Sequence, residues 1–213
     1  MAITTYSELQ TAIANWLHRS DLTARIPEFI ALTEARLARD VGRGGQYLAA
    51  MESRTTIALV SGDSQKALPT GFLQLRSVRL NTDPKKLLNY VTPNQLDVSW
   101  AGSTNGEPSQ CTIEGTNLRV GPSADGAYTI EILYYGKLTA LSDANPTNWF
   151  ITNAPDALLY GALVEASPFL MADARLATWA KLYDAAITSL LEADQRAKYP
   201  ASGLQVRTTY RGA

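Results

Sequence analysis

Apolar residues recur every three or four positions through the first 41 residues of the chain, in two successive segments. The first segment begins with Thr5 and Glu8, which form a capping box in which each side chain satisfies a backbone N–H of the first turn. The second begins near Ile26 and Pro27 and ends at the glycine-rich residues 42–45. This spacing predicts two amphipathic helices, each with one buried face. The faces comprise Tyr6, Leu9, Ile13, Trp16 and Leu17 in the first helix, and Ile26, Phe29, Ile30, Thr33, Leu37 and Val41 in the second.

The middle of the chain changes to the period of two that is typical of β-strands. Within residues 73–81 the alternation changes face, which predicts a bulge or a sheet edge. Residues 114–117 predict a tight hairpin turn, and a short helix from Pro93 to Trp100, with Thr92 as its N-cap, is predicted to interrupt the strands. Six strands joined by short turns predict a small antiparallel β-sandwich or barrel. The strands are predicted at residues 53–60, 73–81, 85–91, 109–115, 117–122 and 127–138.

The last third of the chain returns to helical spacing. One helix is predicted over residues 155–171, capped by Asn153 or Asp156 and kinked or broken early by Pro168. A second helix is predicted from residue 173 to about residue 198. These two segments predict a pair of C-terminal helices followed by a polar tail.

The predicted fold class is α+β. An N-terminal helical hairpin and a C-terminal long helical hairpin are expected to pack together, with a small antiparallel β-sandwich or barrel inserted between them. The predicted domains are a helical domain of residues 1–46 and 145–200, a β-rich domain of residues 47–144, and a C-terminal extension of residues 201–213.

Composition narrows the classes of protein that fit. The 213 residues are 46% hydrophobic and 18% charged, as in a folded protein. The 19 basic and 20 acidic residues are scattered and give a net charge of −1, so we expect no surface that grips duplex DNA. A single cysteine excludes an internal disulfide. Because the sequence shows no signal-peptide pattern and no apolar run of about 18 residues, we expect synthesis in a reducing cytoplasm and no membrane association.

The sequence contains few residues of the types that usually carry out catalysis. The single histidine, His18, is predicted at the end of the first helix, where the helix dipole favours positive charge. Cys111 lies in a predicted strand, and we expect it to be a small buried hydrophobic residue. The glycines of residues 42–45 follow a helix and lack the Lys-Ser/Thr of a phosphate-binding loop. We therefore predict no catalytic residue, no cofactor and no metal ion, and a protein that is not an enzyme.

Five segments form an ordered set along nearly the whole chain. They are residues 6–40, LPTGFLQLRSVRL at 68–80, YVTPNQLD at 90–97, YTIEILYYGKLTALSDANPTNWF at 128–150, and NPTNWFITNAPDALLYGALVEASPFLMAD at 145–173. Taken together they resemble the head-to-tail adaptor proteins of short-tailed bacteriophages, the tail tubular protein A or gatekeeper-ring group.

The resemblance implies a structural virion protein at the head–tail junction, made in the host cytoplasm. Such adaptors assemble with themselves as a ring of twelve copies beneath the portal protein and carry the tail nozzle protein below. DNA passes through the ring without sequence-specific binding. The C-terminal extension of the family commonly reaches the portal, which implies portal contact by Leu204, Gln205, Val206, Arg207, Thr208, Thr209, Tyr210 and Arg211.

The segment that leads into the C-terminal helices is interpreted as a joint between the two predicted regions. Trp149 and Phe150 are expected to wedge between the β-rich region and the helices. Pro155 is expected to start the following helix at a fixed angle. This interpretation makes the segment an orienting element and not a binding pocket.

The alternative hypothesis is a β-rich, glycan-binding module of a phage particle. Such a module would use Trp100, Tyr134 or Tyr135 to stack on sugar rings. Trp16 and Trp179 are predicted at core positions and would not take part. The two hypotheses differ in whether those aromatic side chains form an exposed coplanar platform.

Overall fold

The computed structural model describes residues 2–19, 21–45, 47–102, 104–170 and 174–198, and the fold of these residues is α+β. The chain divides into two compact units. We call Met1–Ala50 with Thr139–Ala213 the helical unit, and Met51–Leu138 the β unit. The predicted extension of residues 201–213 lies outside the described residues.

Six α-helices and eight β-strands lie within the described residues. The helices are α1 (Tyr6–Leu17), α2 (Ile26–Val41), α3 (Pro93–Trp100), α4 (Trp149–Asn153), α5 (Pro155–Glu165) and α6 (Leu176–Lys198). Short 3₁₀ turns lie at Thr23–Arg25, Arg43–Gly45, Ala49–Met51 and Ser167–Phe169. The strands are β1 (Glu52–Leu59), β2 (Gln65–Ala67), β3 (Phe72–Leu80), β4 (Lys86–Leu87), β5 (Asn89–Tyr90), β6 (Gln110–Glu114), β7 (Asn117–Gly121) and β8 (Tyr128–Gly136).

The two N-terminal helices are confirmed. Thr5 and Glu8 form the predicted capping box at the start of α1, and every residue predicted on the buried face of α2 is buried. The prediction that Trp16 is a core residue is wrong, because Trp16 is 43% exposed and meets Tyr160 edge-on at 5.8 Å between ring centroids. At 100° per residue Trp16 lies roughly 65° from the centre of the apolar stripe, which places it at the margin of the buried face.

Helix α5 contacts α1, α2, α4 and α6, and it buries apolar residues around most of its circumference. A helix that is apolar on all sides belongs in a core. At Gly161 an added Cβ would collide with Cγ2 of Thr33 and lie 3.1 Å from the ring of Tyr183. A glycine therefore lets α5 approach α2 and α6 closely at this point. The buried residues of α5 are Ala157, Leu158, Leu159, Gly161, Ala162 and Leu163.

The predicted helix over residues 155–171 is shorter in the structure. Helix α5 ends at Glu165 and is followed by the 3₁₀ turn that contains Pro168, so the predicted early break is confirmed. The predicted caps are wrong, because Asn153 is itself helical in α4 and no side chain caps the start of α5. The capping residue of this region is Asn148, whose Oδ1 accepts a hydrogen bond from the Ile151 N–H at 3.0 Å.

The β unit contains two four-stranded sheets. The strand order is β1-β8-β3-β4 in the first sheet and β2-β7-β6-β5 in the second. All pairs are antiparallel except β5 with β6, which is parallel. Buried residues from both sheets form one hydrophobic cluster, so the sheets share a core. That cluster comprises Leu59, Val78, Leu80, Leu88, Cys111, Leu118, Val120, Ala124, Ile130 and Ile132.

Several predictions for the β unit are confirmed and others are corrected. The hairpin at residues 114–117, with Gly115 at a φ of 58°, and helix α3 with its Thr92 cap are confirmed. The predicted bulge in β3 is confirmed by two register shifts against β8. The count of six strands is wrong: β2 was missed, and the predicted strand over residues 85–91 divides into β4 and β5, which belong to different sheets. No closed barrel forms from the described strands.

Candidate assembly site

The residues predicted to contact the portal, 204–211, lie outside the described residues, and their role stays a prediction. The predicted joint and the surfaces of the two units are described. Two features stand out in the described residues, one that orients helices within the helical unit and one at which another chain could bind. One is the segment of residues 139–148 that returns to the helical unit, called the return segment, and the other is a groove in the β unit.

The return segment is fastened to the N-terminal helices by hydrogen bonds. The carboxylate of Glu34 in α2 accepts from the Leu141 N–H at 3.0 and 3.2 Å and from Nδ2 of Asn148 at 2.8 Å. The Tyr6 N–H donates to the carbonyl of Pro146 at 2.7 Å. These bonds hold the start of α4 in place relative to α1 and α2, because Asn148 also caps α4.

Burial opposes the ionisation of the Glu34 carboxyl group. It raises the pKa of the Glu34 carboxyl above the ordinary value of 4.5, and the hydrogen bonds from Leu141 and Asn148 partly oppose that rise. A hydrogen bond to an ionised group is stronger than one between two neutral groups. The ionised Glu34 carboxylate therefore holds the return segment more tightly than the protonated carboxyl group would. The same burial makes ionisation costly, and the two effects compete at this one side chain.

The predicted joint residues lie in this region. Phe150 is buried, with 4% of its surface exposed, whereas Trp149 is half-buried and meets Phe150 edge-on at 5.7 Å between ring centroids. Pro155 is the first residue of α5. All three belong to the helical unit. Their role as a joint between the two regions stays a prediction.

A polar cluster links α2, α5 and α6. Nη1 of Arg36 lies 3.2 Å from the Glu165 carboxylate, and its guanidinium carbon lies 4.7 Å from the ring centroid of Tyr183. The Tyr183 hydroxyl donates to Asp40 at 2.9 Å. Burial, and then this hydrogen bond, raise the pKa of the Tyr183 hydroxyl. Arg36 and Asp40 are half-buried, because α5 and α6 supply partners for them.

A groove of about 760 Å³ opens in the β unit beside β3, and we call it the β3 groove. Arg76 is the only charged residue among its described lining residues, and it is ion-paired with Glu52. Two lining residues, Leu87 and Tyr90, are 66% and 59% exposed. The full lining is Phe72, Leu73, Gln74, Leu75, Arg76, Ser77, Val78, Leu87, Leu88, Tyr90, Cys111, Ile113 and Gly115.

One edge of β3 is unpaired along this groove. Strand β8 pairs with β3 from Phe72 to Leu80, whereas β4 pairs with it only at Arg79 and Leu80. In the described part of the β unit, no strand pairs with residues 72–77 on the side away from β8. An unpaired edge presents backbone N–H and C=O groups that can bind another strand. The β3 groove therefore combines an apolar surface with backbone hydrogen-bonding capacity.

The aromatic residues of the glycan-binding hypothesis do not form a platform. Nε1 of Trp100 donates to Gln110 at 3.0 Å, and Tyr134 stacks on Phe72 at 5.6 Å. Tyr134 and Tyr135 are neighbours in β8, so their side chains point to opposite faces of the sheet. All three candidate rings are half-buried. These contacts do not favour the hypothesis of sugar stacking.

The two residues with reactive side chains fit structural roles. His18 is exposed at the end of α1, where its backbone takes a left-handed conformation with a φ of 52°. Cys111 is fully buried in β6, as predicted, and burial raises the pKa of its thiol to about 11. Within the described residues, no group of three or more His, Cys, Asp or Glu side chains is placed to hold a metal ion.

The return-segment contacts and the β3 groove were not predicted from the sequence. Glu34 meets partners 107 and 114 residues further along the chain, and such pairs leave no local pattern. The change of face within β3 was a usable signal for the groove, because bulges are common at sheet edges.

The unpaired edge of β3 gives the β unit backbone groups that can bind a strand of another chain, and the hydrogen bonds of the return segment orient α4 within the helical unit. A family model described as SU10 adaptor protein matches residues 4–207, and the chain belongs to this family of phage structural adaptors. The resemblance to phage head-to-tail adaptors is thereby confirmed, and the family is not a class of enzymes. No curated protein matches the chain. Among the described helices, none is both long enough and apolar enough to span a membrane.

Proposed function

We propose that this adaptor forms a ring of twelve copies between the portal and the tail nozzle of a phage particle. The ring extends the channel through which DNA passes, and the protein is made in the host cytoplasm before assembly. The family match over residues 4–207, which spans both units, is the observation that carries the proposal.

Charge and symmetry support the ring. The net charge of −1, with basic and acidic residues nearly balanced, suits a wall along which DNA slides, because few phosphate contacts would hold it. Side-by-side contacts between different surfaces of identical copies close into a ring when the rotation between copies allows it.

Electron microscopy of the purified protein mixed with its portal tests this assembly directly. We expect a twelve-fold ring of added density on the portal. The portal alone and the adaptor alone are the controls, and the adaptor alone is expected to be largely monomeric at micromolar concentration. Portal particles without an added ring would contradict the proposal.

Residues 204–211 are the proposed portal contact. The segment LQVRTTY alternates as a strand does, so it could add to a strand of the portal through main-chain hydrogen bonds. Ordering the backbone costs roughly 1–2 kcal/mol per residue, so a single contact would be weak. A ring presents many copies, and effective concentration then strengthens attachment.

Removal of residues 201–213 tests this contact. We expect the fold and melting temperature to remain nearly unchanged, while co-sedimentation with the portal is lost. A chain in which the same residues are replaced by a glycine-serine tail of equal length controls for bulk. If either variant co-sediments at the wild-type stoichiometry, the contact lies elsewhere.

A further inference from the structure

The outer face of the first sheet carries an excess of positive charge around one carboxylate. Nζ of Lys85 lies 2.9 Å from the Glu131 carboxylate, and Nη1 of Arg54 lies 3.6 Å from it. Arg79 is exposed and is directly opposite Glu131 in the pairing of β3 with β8. The hydrogen bond from Lys85 lowers the pKa of the Glu131 carboxyl group, and the charges of Arg54 and Arg79 lower it further. Three cations therefore surround one carboxylate, and we call these four residues, with their net charge of +2, the Glu131 cluster.

The cations of the Glu131 cluster are open to solvent, and their shared carboxylate lies beneath them. The side chain of Arg54 is 59% exposed, whereas that of Glu131 is 13% exposed. Glu131 lies between two core residues along β8, so its side chain is on the face of the sheet that points away from the core. Arg76 and Glu52 pair with each other and add no net charge to the cluster.

The second sheet carries the opposite arrangement on its own outer face. Helix α3 packs there, because a Cβ added to Gly121 of β7 would collide with the side chain of Trp100. Nη2 of Arg119 in β7 lies 2.8 Å from the Asp97 carboxylate of α3, and Nη1 of Arg119 contacts the Glu114 carboxylate of β6. Two carboxylates therefore flank one guanidinium, and we call these three residues, with their net charge of −1, the Arg119 cluster.

The two clusters lie on opposite sides of the β unit. The sheets share one core, so their outer faces point away from each other. Arg119 lies between the core residues Leu118 and Val120 and therefore belongs to the outer face of the second sheet. Successive copies in a ring of twelve are rotated by about 30°, so the two surfaces through which a copy meets its neighbours lie on nearly opposite sides of it. The two clusters meet that requirement within a single unit.

We propose that the Glu131 cluster of one copy binds the Arg119 cluster of the next copy and forms a side-by-side contact of the ring. The inference rests on the proposed function, since it names surfaces through which the proposed ring would close. Complementary charge specifies which surfaces meet and disfavours contact between like surfaces. Each contact is weak because the charges are exposed, so the ring forms where the portal holds many copies at high effective concentration.

An apolar side chain lies beside each cluster. Val98 follows Asp97 in α3 and is 82% exposed. Leu133 is in register with Arg54 and is half-buried on the outer face of the first sheet. Stable interfaces surround an apolar centre with a polar rim, and these two residues supply apolar surface next to the paired charges.

DNA is the other charged molecule that the Glu131 cluster could meet. Two of the three cations already contact Glu131, and a cluster with a net charge of +2 would release few counterions from phosphate groups. Contact with DNA would also leave the Arg119 cluster without a partner of opposite charge. A contact between two copies accounts for both clusters.

Two charge-reversal variants test the contact on the portal. The first carries Arg54→Glu with Arg79→Glu, and the second carries Asp97→Lys with Glu114→Lys. Each variant alone presents like charge on both surfaces, so we expect the portal to retain about one tenth of the wild-type number of copies. In an equal mixture the variants can alternate around a ring with an even number of copies, and we expect at least about half of the wild-type number.

Recovery in the mixture also shows that both variants are folded. A third variant, Arg25→Glu with Arg196→Glu, changes the net charge as much as the first variant does, at exposed cations of the helical unit. We expect it to form rings as the wild type does. Copy number is measured by electron microscopy and co-sedimentation, and melting temperatures are measured for all variants.

Several results would overturn the proposal. Full rings from either cluster variant alone would do so, and a loss of affinity for duplex DNA in the first variant would then assign the Glu131 cluster to DNA. A mixture without rings, from variants that keep the wild-type melting temperature, would also overturn it. An equal loss in the helical-unit control would mean that net charge and not these surfaces controls assembly.

Sedimentation without the portal distinguishes failure of the contact from failure of the proposed function. At about 0.5 mM protein and low salt, the mixture of cluster variants should associate while each variant alone stays monomeric, and about 0.5 M salt should abolish the association by screening. Such association without a ring on the portal would support the contact and contradict the proposed function. Wild-type rings on the portal without association in the mixture would overturn the contact and leave the proposed function intact.

Discussion

The two units differ in how much apolar surface they leave in contact with water. In the described part of the helical unit, the exposed large hydrophobic residues Trp16, Leu32, Phe169 and Leu182 are 37–52% exposed. Those of the β unit, Val60, Leu87, Tyr90 and Val98, are 58–82% exposed. The helical unit buries its large side chains more completely, and the β unit keeps surface that another chain segment could cover.

The units also differ in their polar contacts. The helical unit joins distant parts of the sequence through half-buried groups, such as Glu34 with Leu141 and Arg36 with Glu165. Most described ion pairs of the β unit have at least one exposed partner, as Lys86 with Glu107 does, and exposed pairs contribute little to stability in either unit, including Arg196 with Glu192 in the helical unit. We therefore expect substitutions in the helical unit to change the free energy of unfolding, and substitutions along the β3 groove to change binding.

The largest expected effect is at Phe150. Replacing this buried ring with alanine should lower the free energy of unfolding by about 3–5 kcal/mol, as for other buried aromatic residues. The neighbouring Trp149→Ala should cost less, because Trp149 is half-buried. Urea denaturation of both variants measures the difference. Equal losses would mean that Trp149 is covered in the folded protein, as the joint interpretation requires.

Gly161→Ala tests the close packing of α5. The new Cβ would meet Thr33 and Tyr183, so we expect a loss of about 1–3 kcal/mol from overpacking. Thr33→Ser removes the methyl group that the new Cβ would strike, so the double variant should recover part of that loss. Gly126→Ala in the β unit is the matched control, because no atom lies within 4 Å of its added Cβ. If Gly161→Ala left the free energy of unfolding unchanged, that result would contradict the close packing of α5 against α2 and α6.

The contribution of Glu34 to the free energy of unfolding depends on pH. Glu34→Ala leaves the Leu141 N–H and the Asn148 amide without their acceptor, at a cost of about 1–3 kcal/mol. Because the folded pKa is raised, the folded state binds the Glu34 proton more tightly than the unfolded state. The resulting stability is fully present below pH 4.5 and is lost as the pH rises through the raised pKa.

Glu34→Gln isolates this contribution, since it keeps an acceptor but does not titrate. The stability of the wild type relative to Glu34→Gln should fall as the pH rises from about 4.5 toward neutrality. Groups with lowered pKa values, such as Asp63 and Glu131, remain in both proteins and cancel in the difference. A difference that rises with pH would mean that the hydrogen bonds outweigh burial at Glu34.

Elements that depend on residues close together in the sequence were predicted correctly. The capping box at Thr5, the buried face of α2 and the hairpin at Gly115 each depend on residues a few positions apart. Trp16 was misplaced because a residue at the margin of an apolar stripe is covered or exposed according to its neighbours, which sequence spacing does not specify.

Features that depend on distant partners were not predictable in the same way. Residues 86–90 look like one strand, but Leu88 is buried where the chain passes from the first sheet to the second. The hydrogen-bond donors to Glu34 and Asp40 lie more than 100 residues away. The family resemblance supplied the class of protein, a phage adaptor, because it depends on the order of segments along nearly the whole chain, which pairwise packing does not alter.

The smallest expected effect on the free energy of unfolding is along the β3 groove. Leu87→Ser with Tyr90→Ser should change the free energy of unfolding by no more than about 0.5 kcal/mol per residue, because both side chains are largely exposed. Val98→Ser on α3 is the matched control, since Val98 is 82% exposed and does not line the groove. If the groove holds an apolar strand, the groove variant should speed amide exchange of residues 72–77 while Val98→Ser leaves it unchanged. A loss of more than about 1 kcal/mol in the free energy of unfolding of the groove variant would show that these side chains contribute to the hydrophobic core. The β unit would then not differ from the helical unit in the apolar surface that it exposes.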